Sequence, residues 1–264
     1  MSILDTIVRY KKKEVEILRE LISVERLVDF PLFNREIFAM KDFLMNPEKT
    51  GIIAEFKKKS PSKGIINERV DVVDVTRGYT NYGASALSVL TDFNFFGGTV
   101  DDLQKAREAN DIPILRKEFI IDEYQLYEAK ATGADAILLI AAILDRKKAR
   151  TLARKSKELG LQVLMELHEE KEIGILNEFV DLVGVNNRNL KTFEVSLQHS
   201  AGLAGKIPGD FFLISESGIS TVEDIIFLKG YGFRGFLMGE NFMKTSDPVK
   251  AFMNFAKELF NLIV

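Results

Sequence analysis

Eight short β-rich apolar runs recur at intervals of roughly 20 to 35 residues, and this repeat limits the possible folds more than any other feature of the sequence. The runs are at 52–56, 86–90, 113–116, 136–140, 162–167, 182–185, 211–215 and 235–238. Stretches with helical periodicity lie between them, at 100–109, 122–132, 146–160, 169–179 and 221–230. Strands that alternate with helices pair in parallel. Eight such units predict an α/β fold that closes into a (β/α)8 barrel, the TIM barrel.

Glycine stands where several of the predicted helices end, as at Gly83, Gly133, Gly160 and Gly232. Glycine is favoured just after the last turn of a helix, so each of these residues marks the step from a helix into the next strand. The motif G-x-G-x-x-G does not follow the first strand, which argues against a dinucleotide-binding sheet.

Residues 1–50 precede the first strand and form a predicted helical extension, because Ile3, Ile7 and Val15 continue an apolar stripe. The chain has 264 residues, which is the size of one barrel, so we predict a single domain over 1–264 with the barrel at 51–264. Two roles are open for the extension: it covers one end of the barrel, or it is a flap over the active site. The lysines at 11–13 are interpreted as the solvated side of a helix.

Cysteine is absent, which excludes disulfides, thiolate metal sites and a cysteine nucleophile. Histidine occurs only twice. Two histidines, far apart in the sequence, offer little basis for a histidine-rich metal site or a Ser-His-Asp triad, and we predict no metal. The net charge of -3 does not suggest a nucleic-acid partner. No apolar run approaches ~18 residues and no signal peptide is recognisable, so we expect no membrane association and a cytoplasmic location.

Charged and amide side chains follow the apolar residues at the ends of the first, third, fifth and sixth strands. In a barrel of this kind the carboxyl ends of all strands meet at the catalytic mouth. The following residues are therefore predicted to converge: Glu55, Lys57, Lys117, Glu166, Asn186 and Arg188. His168 follows the fifth strand closely, and we interpret it as a solvated loop residue.

Glycine turns follow the last two strands and predict a phosphate site. Ser217 and Gly218 come after the seventh strand, and Gly239 and Glu240 come after the eighth. Loops at these two positions commonly bind phosphate through backbone N–H groups. Ser60, after the first strand, can add a hydroxyl or an N–H. The sequence therefore predicts a small phosphorylated ligand.

Seven sequence blocks, in order over essentially the whole chain, carry a resemblance to a known family. They lie at 53–64, 87–92 with 95–98, 113–120, 133–140, 184–190, 215–219 and 238–240. With them the chain resembles indole-3-glycerol-phosphate synthase. The resemblance implies closure of the pyrrole ring of 1-(2-carboxyphenylamino)-1-deoxyribulose 5-phosphate, with loss of carbon dioxide and water, in tryptophan biosynthesis. It implies no metal or organic cofactor.

The resemblance also implies roles for the charged residues. Lys117 is the general acid of condensation, and Glu166 is the general base of dehydration. Lys57 holds the substrate carboxylate and serves as an acid in dehydration, with Glu55 paired to a lysine. Asn186 hydrogen-bonds a substrate hydroxyl.

The remaining implied contacts concern the substrate's ends. Arg188 helps to bind the carboxylate, Phe96 and Phe119 bracket the anthranilate ring, and Leu138 lines the aromatic pocket. Ser217, which we group with the catalytic residues, anchors the phosphate together with the following: Gly218, Gly239, Glu240 through its backbone N–H, and Ser60. Glu118 departs from the family pattern, which more often has Asp, and so does Ser215, where Ala is frequent.

The residues were also weighed against two other functions. A phosphoribosylanthranilate isomerase would share the phosphate loops, but that family uses a cysteine base and this chain has no cysteine. A non-catalytic barrel that binds a phosphorylated ligand or a protein predicts that Lys117→Ala leaves the biological role intact. We expect a monomer, and association with other enzymes of the pathway stays open.

Overall fold

A computed structural model describes residues 3–189, 192 and 194–263, and in it eight parallel strands form a closed barrel. The strands are β1 (Ile52–Phe56), β2 (Ala86–Leu90), β3 (Ile114–Lys117), β4 (Ala136–Ile140), β5 (Gln162–Leu167), β6 (Leu182–Asn186), β7 (Phe212–Glu216) and β8 (Phe233–Met238). Each strand pairs with the next, and β8 pairs with β1. The predicted TIM barrel is confirmed. Leu190, in one of the resemblance blocks, lies outside the described residues, as do Met1, Ser2 and Val264 at the chain ends.

The helices lie outside the barrel and before it. They are α1 (Ile3–Leu21), α2 (Val24–Val28), α3 (Met40–Met45), α4 (Val72–Asn81), α5 (Phe93–Phe96), α6 (Val100–Ala109), α7 (Tyr124–Ala131), α8 (Arg146–Glu158), α9 (Leu197–Ala204), α10 (Val222–Lys229), α11 (Glu240–Met243) and α12 (Pro248–Ile263). Gly83 and Gly133, predicted to end helices, both have φ of +92°, a left-handed conformation that favours glycine. Among the described residues, none of the helices has the length and apolar character needed to cross a membrane.

One predicted helix is wrong. Residues 169–179 form only a short 3-10 helix, Glu170–Ile175, instead of an α-helix. The side chain of Glu172 turns back to accept hydrogen bonds from the backbone N–H groups of His168 and Glu169. This local capping and the central Gly174 favour a tight turn over a continuous helix.

Branched apolar side chains fill the inside of the barrel. Ile53, Leu115, Leu138, Leu164 and Ile214 belong to one buried cluster, each contributed by a different strand. Alternate residues of the same strands face outward and pack against the helices, which makes the strands buried on both sides. The packed interior leaves the strand ends as the place where a ligand can bind.

The N-terminal extension contacts both ends of the barrel. In α3, the backbone N–H of Met40 donates to Oε1 of Gln162, the first residue of β5, and Leu44 packs against Gly235 near the start of β8. In α1, Ile3 and Ile7 line the cavity at the opposite end, where the strands finish. The extension therefore covers the amino-terminal end of the barrel with α3 and lies at the mouth with α1.

The interpretation of Lys11 as solvated is wrong. Its side chain is 1% exposed, and its Nζ lies 3.2 Å from Asp92 Oδ2 and 3.0 Å from Glu118 Oε1. Glu14, one helical turn away, accepts a hydrogen bond from the same Nζ at 2.9 Å. Lys11 thus fixes α1 to the ends of β2 and β3, whereas Lys12 and Lys13 are exposed as expected.

Candidate active site

The predicted site residues line one cavity of about 520 Å³ at the carboxyl ends of the strands. The barrel brings them together because parallel strands all finish at the same end. The residues on its wall include Glu55, Lys57, Ser60, Phe96, Lys117, Phe119, Leu138, Glu166, Asn186, Arg188, Ser217, Gly218, Gly239 and Glu240.

Lys117 is held between two carboxylates at the end of β3. Its Nζ donates to Oε2 of Glu166 at 2.7 Å and to Oε2 of Glu216 at 2.6 Å. Burial alone would lower the pKa of Lys117, but the charges of Glu166 and Glu216 outweigh it and raise the pKa above the ordinary value. The side chain is therefore a protonated ammonium, the form that a general acid requires.

Glu216, the last residue of β7, belongs to the site and was not among the predicted site residues. It is 1% exposed, and burial together with the nearby charge of Glu166 raises its pKa to about 7, against the opposing effect of Lys117. The pKa of Glu166 is shifted in the opposite direction. Burial opposes its ionisation, but Lys117 and His168 hold its pKa well below the usual range. The strand-end position that singled out Glu166 would also have singled out Glu216.

Glu55 and Lys57 form a second ion pair in the cavity. The Nζ of Lys57 lies 2.7 Å from Oε1 of Glu55, as expected for side chains two residues apart at the end of β1. The hydroxyl of Ser88, on β2, donates to the other oxygen of Glu55 at 3.4 Å. The predicted pairing of Glu55 with a lysine is confirmed, and the lysine is Lys57.

The interpretation of His168 as a solvated loop residue is wrong. The side chain is only 8% exposed, and its Nε2 lies 3.1 Å from Oε1 of Glu166. The two residues are two positions apart at the end of β5, so the alternation of an extended chain directs both side chains to the same side. Burial lowers the pKa of His168, but the hydrogen bond and charge of Glu166 outweigh it and raise that pKa above the usual value.

Phe96 and Phe119 form a single aromatic wall. Their ring centroids are 5.7 Å apart with an interplanar angle of 38°. Stacking a third ring between them would need about 7 Å, twice the usual carbon contact distance. A ligand ring can therefore lie against this wall, with Leu138 of β4 in the same cavity, but it cannot be bracketed by the two phenylalanines in this arrangement.

Two consecutive residues after β7 have left-handed backbone conformations. Ser217 has φ of +69° and Gly218 has φ of +74°, and Ser217 is the one non-glycine residue with positive φ among the described residues. Such a backbone costs an L-amino acid energy and is commonly kept at functional sites. Across the cavity, Gly239 lets the chain approach Glu55, because an added Cβ would lie 2.8 Å from the Cβ of Glu55.

Glu240 directs its carboxylate toward two cations. Its Oε2 accepts from Nη2 of Arg188 at 3.2 Å, and its Oε1 lies 3.8 Å from Nζ of Lys63. The backbone N–H of Arg188 donates to Oδ1 of Asn186 at 3.0 Å, which fixes that amide at the end of β6. Lys63 lines the cavity and was not predicted as a site residue.

Other proteins have sequences or folds similar to those of this chain. The family model for indole-3-glycerol phosphate synthase matches residues 4–255. An indole-3-glycerol phosphate synthase from Bacteroides thetaiotaomicron is 48% identical over 98% of this chain and 99% of its own length. One from Polaromonas sp. is 43% identical over 94% of this chain and 95% of its own length.

Among solved structures, tryptophan synthase subunit alpha from Legionella pneumophila str. Paris matches 85% of this chain and 97% of its own with a TM-score of 0.62. A mutant tryptophan synthase alpha-subunit from the hyperthermophile Pyrococcus furiosus matches 81% of this chain and 99% of its own with the same TM-score. Both are 14% identical to this chain, and that likeness concerns the barrel fold alone.

Proposed function

The chain belongs to the indole-3-glycerol phosphate synthase family, and we propose that it converts 1-(2-carboxyphenylamino)-1-deoxyribulose 5-phosphate to indole-3-glycerol phosphate. The reaction closes the pyrrole ring with loss of carbon dioxide and water, as a carboxy-lyase of tryptophan biosynthesis. The observation that carries the proposal is the partly buried ammonium of Lys117 between Glu166 and Glu216 at the mouth.

Condensation begins when the aromatic carbon that bears the carboxylate attacks the ribulose carbonyl. Lys117 gives a proton to the carbonyl oxygen as the new carbon–carbon bond forms. Loss of carbon dioxide then returns the electrons of the broken bond to the ring. Lys57, oriented by Glu55, holds the carboxylate until this step, and Arg188 assists from β6.

Dehydration follows and needs both an acid and a base. Lys57 protonates the departing hydroxyl, while Glu166 removes a proton from the intermediate. The charge of Lys117 keeps Glu166 a carboxylate before the reaction begins, and loss of that charge in condensation makes Glu166 a stronger base for the proton removal. Asn186 hydrogen-bonds a substrate hydroxyl, and the ring of the substrate lies against Phe96 and Phe119.

The phosphate binds at the ends of β7 and β8. Ser217 and Gly218, both with positive φ, lie on the cavity wall and supply backbone N–H groups to the phosphate. Gly239 and Glu240, which follow β8, line the same cavity and add their backbone N–H groups, and Ser60 adds a hydroxyl from the β1 side.

Incubating the purified protein with the carboxyphenylamino-deoxyribulose phosphate and following indole fluorescence tests the activity. Absence of product at high enzyme concentration would refute it. The role of Lys117 is tested by Lys117→Ala, which should lose turnover at least ~100-fold, with Lys12→Ala on the exposed face of α1 as the control. The protein should stay folded, because Glu216 can take up a proton when its cation is removed. Unchanged turnover would favour the non-catalytic barrel.

Glu166→Gln separates the two halves of the reaction. The variant should release carbon dioxide from the substrate but accumulate the hydrated ring-closed intermediate, since the base for dehydration is missing. Carbon dioxide release and indole fluorescence are measured on the same sample. Indole formation at the wild-type rate would exclude the role given to Glu166.

We further propose that the protein acts as a single-domain monomer in the cytoplasm. The contacts of α1 and α3 with the two barrel ends support one folded unit over 1–264. The absence of cysteine is compatible with a reducing compartment. Sedimentation equilibrium tests the monomer, and co-purification tests association with other enzymes of the pathway.

A further inference from the structure

A short antiparallel hairpin follows β1 and forms part of the cavity wall. Its two strands are Lys59–Ser60 and Gly64–Ile65, and the backbone N–H of Lys63 donates to the carbonyl of Ser60 at 3.3 Å. Ser60 and Lys63 both line the active-site cavity. The turn therefore places a lysine beside the residue whose hydroxyl the proposed function gives to the substrate's phosphate.

The base of this hairpin is tied to α11. The backbone N–H of Asn67 donates to the carbonyl of Lys58 at 3.1 Å, which closes the hairpin. The side-chain amide of Asn67 donates to the backbone carbonyls of Met243 and Thr245, at 3.2 and 3.1 Å. Since α11 starts at Glu240, these bonds fix the hairpin relative to the backbone that follows β8.

Lys63 extends from the hairpin toward the carboxylate of Glu240. Its Nζ lies 3.8 Å from Oε1 of Glu240, which is longer than a hydrogen bond. The side chain of Lys63 is 56% exposed and that of Glu240 is 33% exposed. Ion pairs as open as this one contribute little to stability. The ammonium of Lys63 therefore lies at the mouth and can leave Glu240 for a stronger partner.

The carboxylate of Glu240 would repel a phosphate bound at the proposed site. The proposed function gives the phosphate the backbone N–H groups of Gly239 and Glu240, so two anions come close together and repel each other. The other groups given to the phosphate are N–H groups and one hydroxyl, which carry no positive charge. Arg188 donates to Glu240 at 3.2 Å, but the substrate's carboxylate is its assigned partner. A further cation beside the phosphate would offset the repulsion.

We propose that Lys63 binds the substrate's phosphate, and that the carboxylate of Glu240 is its partner before the substrate enters. The inference rests on the proposed function and adds one residue to its phosphate site. When the substrate binds, the ammonium of Lys63 moves from the Glu240 carboxylate to a phosphate oxygen. Lysine suits this exchange because its ammonium is a compact charge on a flexible stem and binds phosphate as a point charge.

Lys63→Met tests the contact, because methionine removes the charge and keeps much of the length of the side chain. We expect KM for the carboxyphenylamino-deoxyribulose phosphate to rise about 10-fold and kcat to stay within about twofold of the wild type. The phosphate does not react, so a contact with it is equally strong in the ground state and the transition state, and its loss appears in KM. Lys63→Arg keeps the charge and should restore most of the affinity.

Lys59→Met is the matched control on the same hairpin. The Nζ of Lys59 donates to the backbone carbonyl of Asn94 at 3.1 Å, and the residue lies outside the cavity wall. This variant loses the same charge as Lys63→Met, but not the proposed contact with the phosphate. Its KM should stay within about twofold of the wild type, because charges at an exposed mouth are screened by salt. Urea unfolding verifies that all the variants are folded.

Inorganic phosphate is the second probe, used as a competitive inhibitor of indole formation. Its inhibition constant should rise about 10-fold in Lys63→Met, because the cation is lost. It should fall about threefold in Glu240→Gln, because glutamine keeps the backbone N–H and removes the negative charge beside the phosphate. A purely structural role of this ion pair would not shift the constant in opposite directions in the two variants.

The proposal is overturned if Lys63→Met keeps either the wild-type KM or the wild-type inhibition constant. It is also overturned if Lys59→Met raises KM as much as Lys63→Met, because the effect would then come from the general charge of the mouth. Weaker inhibition by phosphate in Glu240→Gln would equally contradict it. Failure of the wild-type protein to form indole is a separate outcome, and it would refute the proposed function instead.

Discussion

Replacing Lys11 by methionine removes a buried cation that joins α1 to the barrel mouth. The Nζ of Lys11 lies 3.0 Å from Glu118 and 3.2 Å from Asp92, and all three side chains are at most 2% exposed. Methionine keeps the length of the side chain but leaves two buried carboxylates without their shared cation. Breaking a buried pair in this way typically costs roughly 3–5 kcal/mol, because the remaining charge stays desolvated.

The lower end of that range applies here, since other donors remain. Thr91 Oγ1 donates to Glu118 at 2.7 Å, and the backbone N–H of Phe95 donates to Asp92 at 2.7 Å. We expect Lys11→Met to lower the free energy of unfolding at pH 7 by about 3 kcal/mol. Lys12→Met, on the exposed side of the same helix, should change it by no more than about 0.5 kcal/mol.

Urea unfolding at several pH values measures the difference. Although burial opposes its ionisation, Lys11 and Arg116 keep the pKa of Glu118 below 4.5 in the folded protein. A group whose folded pKa is lowered stabilises the protein above its unfolded pKa and loses that contribution as the pH falls. The deficit of Lys11→Met should therefore shrink below pH 4.5. A variant as stable as Lys12→Met at pH 7 would refute the reasoning.

Three other changes have expected outcomes. As the pH rises from 4.5 to about 8, the unfolding free energy of Glu216→Gln should increase by about 3 kcal/mol relative to that of the wild type. The reason is that a carboxyl with its pKa raised to about 7 loses its stabilising contribution over this range, and glutamine does not. A difference that stays constant with pH would contradict this. Ser217→Gly should stabilise the protein by about 1 kcal/mol in urea unfolding by removing left-handed strain, and a destabilised variant would contradict it. Gly239→Ala should lower kcat/KM at least ~10-fold by displacing Glu55, whereas Gly209→Ala, with open space around it, should not.

The fold and most of the site follow from the sequence because a parallel barrel orders its functional groups by position. Eight strands that alternate with helices predict a closed barrel, and in a closed parallel barrel the carboxyl ends of all strands lie at one mouth. Glu55 and Lys57 could be paired from their spacing alone, and Glu166 and Lys117 could be assigned to the same cavity. None of these steps requires knowing a distance between residues far apart in the chain.

Burial by distant partners is what the sequence does not contain. In the sequence, Lys11 is one of three consecutive lysines that are all expected to be exposed. Only the packing of α1 near the ends of β2 and β3 brings Asp92 and Glu118 to it. His168 follows a strand and reads as a loop residue. It is buried because the chain stays extended past Glu166 and the short 3-10 helix then folds back, with Glu172 accepting from the His168 backbone.

The position of Glu216 shows how a geometric rule could have completed the site. In a closed eight-stranded barrel the side chains of one layer come from alternate strands. Glu55, Lys117 and Glu166 lie on β1, β3 and β5 and face the inside of the barrel, so the fourth member of the layer has to come from β7. Its inward residue at that height is Glu216, which accepts a hydrogen bond from the same ammonium. The layer holds one cation among three acids, so burial together with this excess of negative charge gives one carboxyl of the set, Glu216, a pKa near neutrality while Glu166 stays ionised.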